Sequence, residues 1–473
     1  AILDVLRSGC PDHGALGEEL GESGPRARRF IVDPIDGTRN FVRRIPTWAV
    51  LIGLESHPIA AASRARPERR VGIAVATIVT AASLYGAEVT LLWWGSLQHD
   101  TRRAIVTDLR GRGVPIFPAM APRWTMDRQD LFVRHGARGP LLPLGAPSRS
   151  VVVDCRESNG WMIYGTDEHG FNNPTGQWSG PEPDVLVVGD SYANGACVDR
   201  PRTMTGRLRE RYPRVINMGV NGNGPLFMLG GLREALAGRR PRHVVWSYYA
   251  GNDLLDLQAE ATHPILSRYL ERGYVQDLWR RQEEVDRVLK GVVAESLSRP
   301  WWRRDGFVAN ALLLRTLRAR TSRLGELWAP TVRFPDFETG EADYALFART
   351  LAEADAAVRA AGGRMTFAYL PSWTEQYGEE RSRGLAAIRR DRVMRIAREA
   401  GLPIADVHAA FVAADDPALH SCPNANCHFS PDGYAVAARV VLETLAAVER
   451  PQGVAGERRR SSTLPLSASA SGS

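Results

Sequence analysis

From Asp184 onward, short apolar runs alternate with stretches whose apolar residues recur at helical spacing. DVLVVGDS (184–191), RVINMG (214–219), HVVWSYYAGND (243–253), RMTFAYLPSW (364–373) and PIADVHAAF (403–411) read as strands, with helical stretches such as Leu346–Ala361 and Asp391–Ala400 between them. Strand alternating with helix predicts an α/β domain over 184–448 built on a doubly wound, mostly parallel sheet. An Arg- and Trp-rich stretch over about 256–340 interrupts the alternation and is expected to be a helical insertion. Residues 95–183 hold many Pro and Gly and few periodic runs, and are expected to be a lead-in of short strands and loops. The last stretch, 449–473, closes on RRRSSTLPLSASASGS and is expected to be a disordered tail.

The first half is patterned differently. Residues 1–55 read as the edge of an α/β domain, and 56–70 (with AASRARPERR) as a linker. Val71 to Ala87 carries no charge, and VTLLWW follows Glu88. A spanning helix needs about 20 apolar residues, so 71–94 is a slightly short candidate transmembrane helix. Arg64, Arg66, Arg69 and Arg70 precede it, and Trp93 and Trp94 follow at the depth of an interfacial belt. Membrane anchoring is therefore expected, with the Arg side cytoplasmic and everything after about residue 95 outside. The competing reading is a buried core element, favoured by the β-branched content and by Glu88.

Composition narrows the partners. With 473 residues, 44% hydrophobic and 24% charged, the chain can bury a large core, which excludes disorder or a multi-span membrane protein as its description. A net charge of +7 invites a nucleic-acid reading, but Lys290 is the only lysine, and the arginines form no stripe with interleaved aromatics. Genomic base composition explains that bias better, and no nucleic-acid partner is expected. The first residue is Ala rather than Met, so the chain is expected to start inside a longer gene. Four of the five cysteines, Cys155, Cys197, Cys422 and Cys427, lie beyond the apolar segment and permit two disulfides of unspecified connectivity. The Cys422/Cys427 spacing also suits a metal with His420 and His428.

The strand ends carry the chemistry. In an open parallel sheet, ligands sit beyond the carboxyl ends of the strands. The first strand ends Gly189-Asp190-Ser191, the second is followed by Asn-Met-Gly-Val-Asn-Gly (217–222), and the third ends Gly251-Asn252-Asp253. Far downstream, Cys-His-Phe-Ser-Pro-Asp-Gly-Tyr (427–434) precedes an apolar helix, Ala435–Val448. This ordered set resembles the SGNH/GDSL hydrolase superfamily over about 184–448. The resemblance implies a three-layer, flavodoxin-like sheet and no cofactor. It makes Ser191 the nucleophile and His428 its general base. The backbone N–H groups of Ser191 and Gly222 and the Asn252 amide would form the oxyanion hole. A weak hydroxyl nucleophile needs an adjacent base, and the developing oxyanion needs fixed donors. Asp190 is expected instead to cap the turn into the next helix. One position departs from the pattern: the family carries Asp three residues before the histidine, where this chain has Ala425. Asn424, Asn426 or a backbone carbonyl would have to substitute.

A second cluster lies at the N-terminus. Gly-Glu-Glu-Leu-Gly (17–21) precedes Phe-Ile-Val-Asp-Pro-Ile-Asp-Gly-Thr-Arg-Asn-Phe (30–41). Two aspartates three apart at a strand end, with an upstream glutamate, suit Mg²⁺. The DPIDGT string resembles the inositol monophosphatase family, and 39–54 resembles its histidinol-phosphatase members. That resemblance implies Glu19, Asp33, Asp36 and the Ile35 carbonyl as metal ligands and Thr38 as the residue positioning water. No Trp-Asp dipeptide follows anywhere in the chain, so the later part of that family's site is missing and the fragment is expected to be vestigial, the product of a gene fusion or misjoined frame.

The expected function is thus a serine hydrolase acting on ester bonds, an esterase or O-acyl esterase/transferase on small-molecule, glycan or lipid esters outside the cytoplasm. Trp246, Trp279, Trp301, Trp302 and Trp373 suit either sugar stacking or core anchoring. The alternatives are a Mg²⁺-dependent phosphatase and a disabled hydrolase fold that only binds.

Overall fold

The structure, a computed structural model, describes residues 14–17, 21–24, 28–36, 49–56, 79–93, 102–119, 125–126, 129–157, 160–298, 311, 314, 339–421 and 427–450. It divides into two units, Ala1–Gly86 and Ala87–Ser473. In the first, β1 (Gly14–Gly17), β2 (Gly21–Ser23), β3 (Arg28–Asp36) and β4 (Ala49–Ser56) form a four-stranded sheet of order β2-β1-β3-β4. β1 runs parallel to β3, the other pairs are antiparallel, and the β3/β4 register shifts between Asp33 and Asp36.

The apolar segment expected to span a membrane is described only over 79–93, where it is an α-helix. At 1.5 Å per residue it is about 22 Å long, against a hydrocarbon core of about 30 Å. Glu88 lies inside it and is buried. Among the described residues no helix is long and apolar enough to cross a membrane, so the expected anchor is not found; residues 71–78 and Trp94 lie outside those described.

In the second unit, the lead-in forms a three-stranded sheet, β5 (Ile116–Pro118), β6 (Val151–Val153) and β7 (Ile163–Gly165), in that order. The apolar runs then become five strands: β8 (Val185–Val188), β9 (Val215–Asn217), β10 (His243–Tyr249), β11 (Arg364–Leu370) and β12 (Ile404–Asp406). They make one sheet of order β12-β11-β10-β8-β9, and every pair is parallel. β10 sits centrally, pairing from His243 with Arg364 to Tyr249 with Leu370, and all its residues are buried.

Both faces are covered, which explains why these strands read as continuous apolar runs. On one face Leu186, Val188, Trp246, Tyr248 and Phe367 pack with the helices Pro225–Leu236, Gln282–Ser298 and Glu341–Ala360. On the other, Val185, Val187, Val245, Tyr249 and Leu370 pack with Met204–Arg211, Val407–Ala414 and Pro431–Glu449. In the insertion the described residues form the helices Pro264–Arg268 and Gln282–Ser298, with the turns and irregular backbone of 269–281 between them. Of the expected tail, 449–473, Glu449 closes the last helix, and residues 451–473 lie outside the described residues.

Close backbone approach fixes the sheet's carboxyl edge. Gly219, just past β9, lies so near the turn after β8 that an added Cβ would sit 2.2 Å from the Asn194 nitrogen. Gly384, by contrast, is exposed inside the helix Glu380–Glu399 with open space where a Cβ would go. Gly219→Ala is therefore expected to destabilise the protein by roughly 3 kcal/mol, and Gly384→Ala to stabilise it by about 1 kcal/mol. Thermal unfolding of the two variants checks this, and equal melting temperatures would contradict it.

Candidate active site

The ends of β8, β9 and β10 meet because these strands are neighbours in the sheet. After β8 the chain turns into a short helix, Ser191–Asn194, with Ser191 as its first residue. Asp190 caps it, accepting the Tyr192 N–H at 2.9 Å, as the sequence led us to expect. Burial pushes the Asp190 carboxyl up to about 6, although the Tyr192 N–H and the nearby His428 pull the other way. The Ser191 hydroxyl donates to Asp190 Oδ2 at 3.5 Å.

His428 lies just before the last helix, Pro431–Glu449, whose cap is Ser430. Its ring sits 5.0 Å from the Tyr192 ring between centroids, and the Tyr192 hydroxyl donates to the Cys427 carbonyl at 3.0 Å. The residue after Ser191 thus fastens the histidine's segment to the nucleophile helix. Among the described residues no hydrogen bond joins Ser191 to His428 directly.

The partner of His428 Nδ1 is Glu157, absent from the sequence expectations. Glu157 Oε1 is 2.5 Å from Nδ1, while Oε2 accepts the His428 backbone N–H at 2.9 Å and the Ser421 hydroxyl at 2.5 Å. Burial opposes charge on the imidazole, but Glu157, Asp190 and Asp154 together raise the His428 pKa above its ordinary value. Burial would likewise raise Glu157, and the bonds from His428 and Ser421 outweigh it and hold the carboxyl below its usual range. Asn424, Ala425 and Asn426 lie outside the described residues. The sequence pointed to Asn424, Asn426 or a backbone carbonyl in place of the missing aspartate, and the departure at Ala425 was the only hint that His428 needs another partner.

The expected oxyanion donors lie at the same sheet edge. Gly222 has φ +77°, left-handed backbone that favours glycine, in the turn after β9. Its neighbour Asn221 accepts from Asn194 Nδ2 at 3.0 Å and donates to Asp154 at 2.5 Å. Among the described residues no backbone acceptor takes the N–H of Ser191 or of Gly222. Asn252 precedes the helix Asp253–Glu260, and its Nδ2 donates to Asp256 Oδ2 at 2.6 Å, leaving one N–H.

A disulfide joins Cys155 to Cys197, and Cys197 Sγ is 3.8 Å from His428 Nδ1. Glu157, Cys197 and His428 therefore cluster, but a bridged sulfur is no thiolate ligand, so the trio does not make a metal site. Cys427 is also disulfide-bonded, which overturns the Cys422/Cys427 metal alternative; its partner lies outside the described residues. Of the tryptophans, Trp246 is fully buried in the core, Trp279 packs beside it, and Trp301 and Trp302 lie outside the described residues. Trp373 packs at a tilt against Tyr377 and edge-to-face with His420. In the first unit Asp33, Ile35 and Asp36 fall on β3, whereas Glu19 and Thr38 lie outside the described residues. The ligand set for Mg²⁺ is thus not assembled among the described residues, and we derive no step through that ion.

Comparison with known proteins gives two families. The inositol monophosphatase family matches residues 1–67. There the chain is 52% identical over 53 residues to a histidinol-phosphatase from Streptomyces coelicolor and 60% identical over 54 to one from Mycobacterium tuberculosis. These stretches are 11% of this chain and 20% and 21% of those proteins, so the chain spans about a fifth of the curated relatives it matches. Similar solved structures include an acetyl xylan esterase from Geobacillus stearothermophilus, at 16% identity and TM-score 0.32 over 57% of this chain and 96% of that one. A member of the lipolytic G-D-S-L family from Veillonella parvula is 12% identical, with TM-score 0.32 over 55% of this chain and 97% of that one. The GDSL-like lipase/acylhydrolase family matches residues 187–436. That match begins inside β8 and ends inside the last helix, taking in the parallel sheet and His428 alike, and the chain belongs to the GDSL-like lipase/acylhydrolase family.

Proposed function

We propose that this chain is a serine hydrolase of ester bonds, an esterase or O-acyl esterase/transferase, with Ser191 as nucleophile and His428 as general base. The placing of His428 carries the reading. A carboxylate engages Nδ1, so Nε2 is the nitrogen left to take a proton, and the ring lies against the residue after Ser191.

In the proposed reaction the Ser191 hydroxyl turns from Asp190 toward Nε2. Oγ adds to the ester carbonyl carbon as its proton passes to Nε2. The carbonyl oxygen becomes an oxyanion, held by the N–H groups of Ser191 and Gly222 and the remaining Asn252 amide N–H. Collapse breaks the ester C–O bond; the departing alcohol takes the proton from His428, and the acyl group stays on Oγ. Water or a second hydroxyl then receives the acyl group through the reverse steps.

The substrate class we propose is an O-acylated glycan or lipid outside the cytoplasm. The Cys155–Cys197 bridge and the bridged Cys427 support an oxidising compartment. The Mg²⁺-phosphatase reading has no comparable support, since the matching segment is about a fifth of its relatives' length.

Hydrolysis of a short-chain nitrophenyl ester tests the assignment. Activity should survive EDTA and fall by roughly 10³-fold or more in Ser191→Ala. No activity in either protein would leave a binding module instead, and equal activity in both would rule out Ser191 as the nucleophile. His428 must be neutral to act, and it faces the carboxyls of Glu157, Asp154 and Asp190, which together outweigh its burial. The acid limb of kcat/KM is therefore expected above pH of about 6.5, the ordinary imidazole value. A limb at lower pH would contradict that charge balance.

A further inference from the structure

The family match starts at residue 187, yet one loop ahead of it touches three parts of the site. The loop follows β6. At its start Asp154 accepts from Asn221, the neighbour of Gly222, at 2.5 Å. Next, Cys155 is bridged to Cys197, just past the Ser191 helix. Two residues on, Glu157 holds His428. The loop is itself pinned to β7's approach, with the Asp154 N–H on the Met162 carbonyl at 2.8 Å and the Met162 N–H on the Cys155 carbonyl at 2.8 Å.

We propose that Glu157 is the positioning carboxylate of this site, supplied from outside the family domain in place of the aspartate that position 425 lacks. The proposal rests on the serine mechanism above. Glu157 does more than neutralise charge: one oxygen binds the ring and the other binds the backbone N–H of the same histidine, so the ring is fixed relative to its own main chain. The Ser421 hydroxyl completes Oε2. With Nδ1–H donated to Glu157, the lone pair is confined to Nε2. When Nε2 takes the serine proton, the imidazolium is stabilised by a carboxylate that keeps its own charge throughout. Glu157, Asp154 and Asp190 are the charged groups facing His428, from the β6 loop and the end of β8; Tyr192 faces it as a neutral ring, and the bridged Cys197 does not titrate.

Glu157→Gln keeps the size of the side chain and removes its charge. The full chain is assayed with the nitrophenyl ester, and the His428 ring is titrated by NMR in parallel, a readout that needs no turnover. With Glu157→Gln, kcat is expected to fall by roughly 10²–10⁴-fold with KM within about two-fold. The His428 midpoint and the acid limb of kcat/KM should both move to lower pH, by about one unit. A shifted midpoint with unchanged kcat would reduce Glu157 to a structural ion pair and overturn the proposal, as would an unmoved midpoint. Ser191→Ala run alongside separates the two ideas: activity that persists there sinks the serine mechanism itself, whereas activity lost there but kept in Glu157→Gln sinks only the role of Glu157.

Discussion

The five-stranded parallel sheet is buried on both faces, and the position of the site follows from where that burial ends. Every residue of β10 is buried, and β8 places Leu186 and Val188 in one core and Val185 and Val187 in the other. Strands covered on both sides hold few polar side chains along their length, Asn217, Ser247 and Thr366 being the small buried ones here, because a polar group in apolar surroundings is costly to bury. Polar groups therefore collect where the strands run out: Asp190 and Ser191 after β8, Asn221 and Gly222 after β9, Asn252 and Asp253 after β10. Gly219, against the backbone of the Ser191 helix, shows how tightly these ends converge.

Convergence concentrates carboxyls around a single imidazole, and their environments set them apart. Burial pushes Asp190 up to about 6, and burial also raises Asp154 against the hydrogen bond from Asn221. Glu157 alone is held below its usual range, through donors that outweigh its burial. One carboxyl is thereby kept ionised against the ring, while Asp190 serves the backbone of the nucleophile turn. The Cys155–Cys197 bridge brings the Glu157 loop and the nucleophile turn together by a covalent link that the sheet itself does not provide.

The sequence by itself determined the sheet and marked candidate site residues at its carboxyl edge. Apolar runs bounded by turn residues marked all five strands, with their C-terminal ends overextended into loops and, at VHAAF, into the helix Val407–Ala414, because burial on two faces writes an unbroken apolar signal. Ser191, Gly222, Asn252 and His428 stood out as candidates because each lies beside such a run or before an apolar helix. The apolar stretch at 71–94 is described only over 79–93, where it is a helix with Glu88 buried inside it, and among the described residues no helix is long and apolar enough to span. Tertiary structure alone decided which acid meets His428 and which cysteine pairs with Cys155. Glu157 precedes His428 by 271 residues, and Cys155 is 42 residues from Cys197. Neither carries a periodic or local pattern, since a single charged residue in a loop looks the same in sequence whether it faces solvent or an imidazole. Their partners are chosen by where the β6 loop lies against the sheet edge, a matter of packing in three dimensions that no spacing along the chain encodes.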